Sequence, residues 1–213
     1  MDSKSAKKTS FFKDNSYEIT KLFINQIGIT IFSLVLYTAA ASIEDVALFS
    51  KVRTFLSIFA VVFFYALIYT AAWDFGARDK IRIDGGKLEE SRFTGMKMAL
   101  IANLPNFILA FFSTLFLGIY ILSGNEGLYT AFSIFNFIIR FLSSMFLGLL
   151  QGIFSFLETS DAESRQYLLY FFWQSVGYLI VPVFTVGVTH FGYVMGLKDK
   201  KIFKIASQNK KSK

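Results

Sequence analysis

The stretch 134-IFNFIIRFLSSMFLGLLQGIF-154 decides how the chain reads. It carries a single charge, Arg140, within a run of Phe, Ile, Leu and Met. The run is as long as the ~20 apolar residues that a helix needs to cross hydrocarbon. Counting in fours from Asn136 gives Arg140, Ser144, Gly148 and Gly152, and residues four apart share one helix face. Ser144, Gly148 and Gly152 thus form a small-residue stripe that lets another helix approach closely inside a membrane. Arginine at a helix centre costs about 2.5–3.5 kcal/mol on insertion scales. Arg140 is therefore expected to face a neighbouring helix, a wet cavity or a ligand, and not lipid.

Four more apolar blocks surround this one. The five are Leu22–Ala41, Phe55–Trp73, Met98–Leu122, Leu128–Phe156 and Tyr167–Leu197. Only 17% of the 213 residues are charged and 54% are hydrophobic, against about 25% charged in soluble domains. Helices and closed barrels alone satisfy every backbone group in lipid, and barrel strands would alternate over about 10 residues, which these blocks do not. The sequence predicts an all-α, polytopic transmembrane bundle with five long apolar segments and five or six crossings.

Lys and Arg cluster in a leader (1–21), a central loop (78–97) and a tail (198–213) that bracket one transmembrane domain, 22–197. Translocated short loops are poor in Lys and Arg, so all three clusters, and both termini, are expected in the cytoplasm. Ala39-Ala40-Ala41 after an apolar run has the form of a signal-peptide cleavage site, but the run and its leader are long, and an uncleaved first span is expected. Three apolar blocks between loop and tail conflict with placing both inside. Either one block fails to cross, or one crosses twice, or the tail lies outside. The last block, with Pro182 at its centre, can form a hairpin or re-entrant pair, and the fourth can break at Arg140. Asp84-Gly85-Gly86 reads as a turn, suited to a small hairpin in the loop.

No cysteine is present and His190 is the single histidine, which leaves no thiolate chemistry and no multi-histidine metal site. Glu89-Glu90 with Arg92 lacks the spacing of the EExxxR membrane proteases, and no Walker-type, GxSxG or HExxH motif occurs. Neither an enzyme nor a cofactor, metal or nucleic-acid partner is expected, since the net charge of +7 lies in loops beside the spans.

Polar residues inside the blocks are the candidate site. In 102-ANLPN-106, Pro105 removes a backbone donor and Asn103 and Asn106 are expected to satisfy the carbonyls it frees. In 73-WDFGARD-79, Trp73 is placed as an interfacial anchor, and Asp74 can pair with Arg78 four residues on. Asp74 is also the one acid near a block end, hence the first candidate partner for Arg140. Gln174 and His190 lie in the last block. Asn103, Asn106, Asp74, Arg140 and Gln174 make an intramembrane polar cluster open to a ligand or ion.

The stretches 95-GMKMALIANLPN-106 and 182-PVFTVGVTHFGYVMGLKDKKI-202 resemble segments of small multi-pass proteins of Gram-positive bacteria to which no function is attached. That resemblance implies the bacterial cytoplasmic membrane. In size and helix count the chain is also similar to the substrate-binding subunits of energy-coupling-factor vitamin transporters, without their binding motifs. The function expected first is a non-enzymatic accessory, assembly or scaffold component, homo-oligomeric or bound to a partner membrane subunit. A small solute-binding or transport subunit is the alternative, and an intramembrane enzyme comes third.

Overall fold

A computed structural model describes residues 11–157 and 165–200. Among these residues every regular element is helical: α1 (Phe11–Asp14), α2 (Ser16–Ala40), α3 (Val46–Asp84), α4 (Thr94–Ser123), α5 (Glu126–Leu142), α6 (Leu147–Ile153) and α7 (Arg165–Leu197). Single 3-10 turns at Ser144–Phe146 and Ser155–Leu157 flank α6.

Local chemistry sets the ends. Asp45 caps α3 by accepting from the amide of Leu48, and Asn125 caps α5 by accepting from that of Gly127, each at 2.9 Å. Such caps satisfy amides that a first turn leaves free. Gly124 closes α4 at φ 67°, a left-handed conformation that glycine adopts without strain.

Four helices, α2, α3, α4 and α7, are long and apolar enough to cross a membrane. Their surfaces are inverted relative to a water-soluble protein. Phe55, Val62, Phe184 and Val183 lie 58–68% exposed, whereas Gln26, Thr30, Ser57, Asn106, Ser113, Gln174 and Thr189 are buried. In water such an apolar surface would be an association liability; in a bilayer it is the solvated face.

The fifth apolar segment does not form a straight helix. α5 and the segment Ser144–Ile153 meet at 88°. The stripe from Asn136 to Gly152 is therefore divided between two axes. Pro182, one of the two places where the sequence allowed a break, lies inside an unbroken 33-residue α7. The basic loop is also shorter than expected. α3 continues through Arg78 and Arg82 to Asp84, and 85–93 connect to α4 with a turn at Gly86, φ 66°, and not a hairpin. The basic tail beyond Lys200 lies outside the described residues.

Side-chain pairs fix the bundle's directions. Glu18 meets Arg78 and Phe32 meets Phe59, so α2 and α3 run antiparallel. Tyr69 packs at Gly192 and Trp73 at Gly196, so α3 and α7 run parallel. Gly95 meets Tyr193 and Ser113 meets Ser175, so α4 and α7 run antiparallel. The N-terminus of α2 and the C-terminus of α7 thus share one end of the bundle with the basic loop. The opposite end holds the end of α4, the start of α5 (Tyr120 against Tyr129 at 5.0 Å) and the start of α7 (Gly118 against Phe172). The fourth segment enters the bundle at this second end, and α7 sets out from that end again.

Candidate functional site

The break between α5 and α6 is buried, and its freed carbonyls have partners. Thr30 Oγ1 donates to the carbonyl of Leu142 at 2.6 Å, and Ser144 Oγ donates back to the carbonyl of Thr30 at 3.2 Å. Ser57 Oγ donates to the carbonyl of Met145 and accepts the amide of Leu149. A backbone interruption at membrane depth is tolerated where protein groups satisfy it in this way. Two hydroxyls on α2 and α3 replace the helical bonds that the bend removes.

The small residues then bring α6 onto α3. A methyl group added at Gly148 would stand 2.6 Å from the Arg53 carbonyl oxygen, and one at Gly152 would stand 3.3 Å from Thr54 Cγ2. Ser144, Gly148 and Gly152 therefore meet helices of the same chain. A second small-residue seam, not singled out from sequence, is tighter still. Methyl groups at Gly76 and Gly196 would each lie 2.1 Å from a backbone oxygen across the α3–α7 contact. The signal was present as Ala72-xxx-Gly76 and Gly192-xxx-Gly196.

The polar residues fall into two groups. In the first, Asn106 Nδ2 donates to Gln26 Oε1 at 2.9 Å, with Asn103 Oδ1 3.4 Å away. Asn103 itself donates to the carbonyl of Ala99. It does not reach Ile101, whose carbonyl is the one that Pro105 releases. Gln26 was missed because it sits near the polar leader, where a glutamine looks unremarked. All three are buried.

The second group lies between α5 and α7. The Arg140 guanidinium sits 5.4 Å from the centroid of the Phe171 ring, and Phe132 meets the same ring at 6.3 Å. Asn136 lies halfway between Phe132 and Arg140, four residues from each, and so shares the face turned to α7. On α7, Tyr178 lies within reach of the Arg140 charge. Gln174 stands between Phe171 and Tyr178 on the same stripe. Gln174 and Tyr178 are each 1% exposed and Asn136 is 7% exposed. Neither amide atom of Gln174 has a hydrogen-bond partner, nor has Asn136 Oδ1, and the Tyr178 hydroxyl faces the Arg140 guanidinium. Among the described residues, no carboxylate pairs with Arg140.

Asp74 belongs to neither group. It is exposed on the last third of α3, near the basic end, whereas Arg140 faces Phe171 in the first third of α7. The expected Asp74–Arg140 pair is absent for that reason. Nor does Asp74 pair with Arg78, which reaches Glu18 at 3.4 Å and lies over the rings of Phe75 and Tyr17. His190 stacks parallel on Phe93 at 6.1 Å. Among the described residues no three His, Asp or Glu side chains gather as a metal site.

Comparison with family models, curated proteins and solved structures finds no match.

Proposed function

We propose that this is a multi-pass membrane protein that binds a small anionic solute between α5 and α7, as a binding or transport subunit and not as an enzyme. The observation that carries this is Gln174. An amide buried to 1% with both polar atoms unpaired costs about 1–3 kcal/mol for each unmet bond unless something else occupies the seam. Arg140, Tyr178 and Asn136 belong to the same seam, and Arg140 brings a fixed positive charge, because guanidinium does not deprotonate in proteins. A carboxylate or similar anion would take the guanidinium, and its remaining oxygens would accept from the Gln174 Nε2 amide hydrogens and the Tyr178 hydroxyl.

The accessory or scaffold component, expected first from the sequence, loses its main support. The Ser144–Gly148–Gly152 face that would have held a partner is occupied within the chain. The re-entrant course of α5 and α6 favours binding instead, since broken helices at membrane depth recur around solute sites in transporters.

In the same proposal four helices cross the bilayer, α5 and α6 dip in and return, and the leader, the 85–93 loop and the tail face the cytoplasm. The Lys and Arg distribution supports that orientation. The bacterial cytoplasmic membrane rests on the resemblance alone.

Native mass spectrometry of the detergent-purified full chain tests the site. The wild type should carry a small adduct that Arg140→Leu and Gln174→Leu lose while remaining folded. A wild type without any adduct, whose melting temperature is also unmoved by a panel of small carboxylates, would contradict it and leave ordered water as the occupant.

A further inference from the structure

Where α6 returns against the start of α3, an open groove lies at the end of the bundle remote from the basic loop. Lys51 and Arg53 supply two positive charges on its α3 wall, with the Ser50 hydroxyl beside them, while the Thr54 hydroxyl donates to the Ser50 carbonyl at 3.0 Å. Arg53 is half-buried, its Nε atom is wholly enclosed without a hydrogen-bond partner, and its guanidinium lies 5.5 Å from the Phe49 ring centroid. Opposite it, Gln151 Oε1 is likewise buried without a partner. Among the described residues no carboxylate pairs with either cation.

The remaining wall has the contrary character. Phe55 and Ile58 line the groove and are 68% and 45% exposed, continuous with the apolar face formed by Phe59 and Val62. Phe55 begins the apolar block of α3, and Lys51 and Arg53 precede it by one turn and half a turn, which suits headgroup depth in a bilayer. The groove is therefore cationic and hydroxyl-lined at its outer end and apolar towards the bilayer.

We infer that this groove binds an anionic phospholipid, with its phosphate on Lys51, Arg53 and the Ser50 hydroxyl and its acyl chain along Phe55 and Ile58. A phosphate diester accepts from several donors at once, and a partly buried guanidinium is the cation best shaped to supply them. A soluble phosphate would use the same donors but would gain nothing from Phe55 and Ile58, so the groove fits the lipid better. The inference is independent of the Arg140 seam, since the two lie on different helices.

The experiment adds phosphatidylglycerol, phosphatidylcholine or inorganic phosphate to the detergent-purified full chain and follows melting temperature and bound lipid by native mass spectrometry. Phosphatidylglycerol should stabilise and be retained selectively. Lys51→Gln should weaken its retention about fivefold, as expected for one lysine near a membrane surface. Arg53→Gln removes a packed side chain, so Arg53→Lys accompanies it: charge kept and fork lost should give an intermediate effect. Equal stabilisation by phosphatidylcholine overturns the inference, as does phosphatidylglycerol selectivity that survives Lys51→Gln and Arg53→Lys. Stabilisation by inorganic phosphate alone overturns the lipid in favour of a soluble anion.

Discussion

Thr30 of α2 bonds the carbonyl of Leu142, the last residue of α5, at 2.6 Å, and the two lie 112 positions apart in the chain. Through this bond and its neighbour at Ser57, the first hairpin of the bundle holds the bend at which the fourth apolar segment turns aside. The bend is thus a built feature, with hydroxyls supplied from outside the segment that bends.

Removing those hydroxyls should loosen the bend. Ser57 is both donor and acceptor, so Ser57→Ala leaves a buried carbonyl and a buried amide unmet. That should cost about 1–3 kcal/mol for each. Thr30→Val removes one donor and should cost less. Thermal unfolding of the purified protein in detergent checks the order. Equal, negligible losses would mean that water satisfies the bend.

The glycines should divide by position. In an exposed helix interior, Gly→Ala is favourable by about 1 kcal/mol. Gly187 has open space around its missing side chain, so Gly187→Ala should be neutral or stabilising. Gly196→Ala places a methyl group 2.1 Å from the Trp73 carbonyl oxygen and should destabilise by ~1–3 kcal/mol through overpacking. Gly148→Ala should also destabilise, against Arg53. Melting temperatures of the three variants decide it.

Arg140 and Asp74 should behave as strangers. Sites well separated and without shared partners add in a double-mutant cycle to within ~0.5 kcal/mol. Arg140→Leu and Asp74→Asn should therefore give additive changes in melting free energy. A strong coupling between them would place Asp74 at the seam after all. Glu18 and Arg78, which do pair, should couple only weakly, by about 0–1 kcal/mol, because Arg78 is 49% exposed.

The class of long apolar helices was legible because block length and charge depletion are sums over many residues, insensitive to detail. The bend was half legible. Overlength and Arg140 pointed to a break in the fourth block, but the hydroxyls that hold it belong to Thr30 and Ser57, on other helices. Pro182 misdirected attention, since Pro is tolerated inside membrane helices whose neighbours stabilise them. The site divided in the same way. Arg140 and Gln174 stood out as polar residues in apolar blocks, whereas Asn136 and Tyr178 gained meaning only once α5 faced α7. Asp74 failed as a partner because proximity to a block end says nothing about which end of the bundle that is.

The most direct test of the account is the side on which α7 begins. The chain has no native cysteine, so Lys87, Asn125, Arg165 and Lys200 can each be replaced by a single cysteine and labelled in intact cells with an impermeant thiol reagent. A re-entrant α5–α6 predicts that cysteines at 125 and 165 react from outside together, while those at 87 and 200 react only after the cells are opened. Labelling at 125 without labelling at 165, with 165 reacting only in opened cells, would mean that the fourth segment crosses the membrane and would contradict the account.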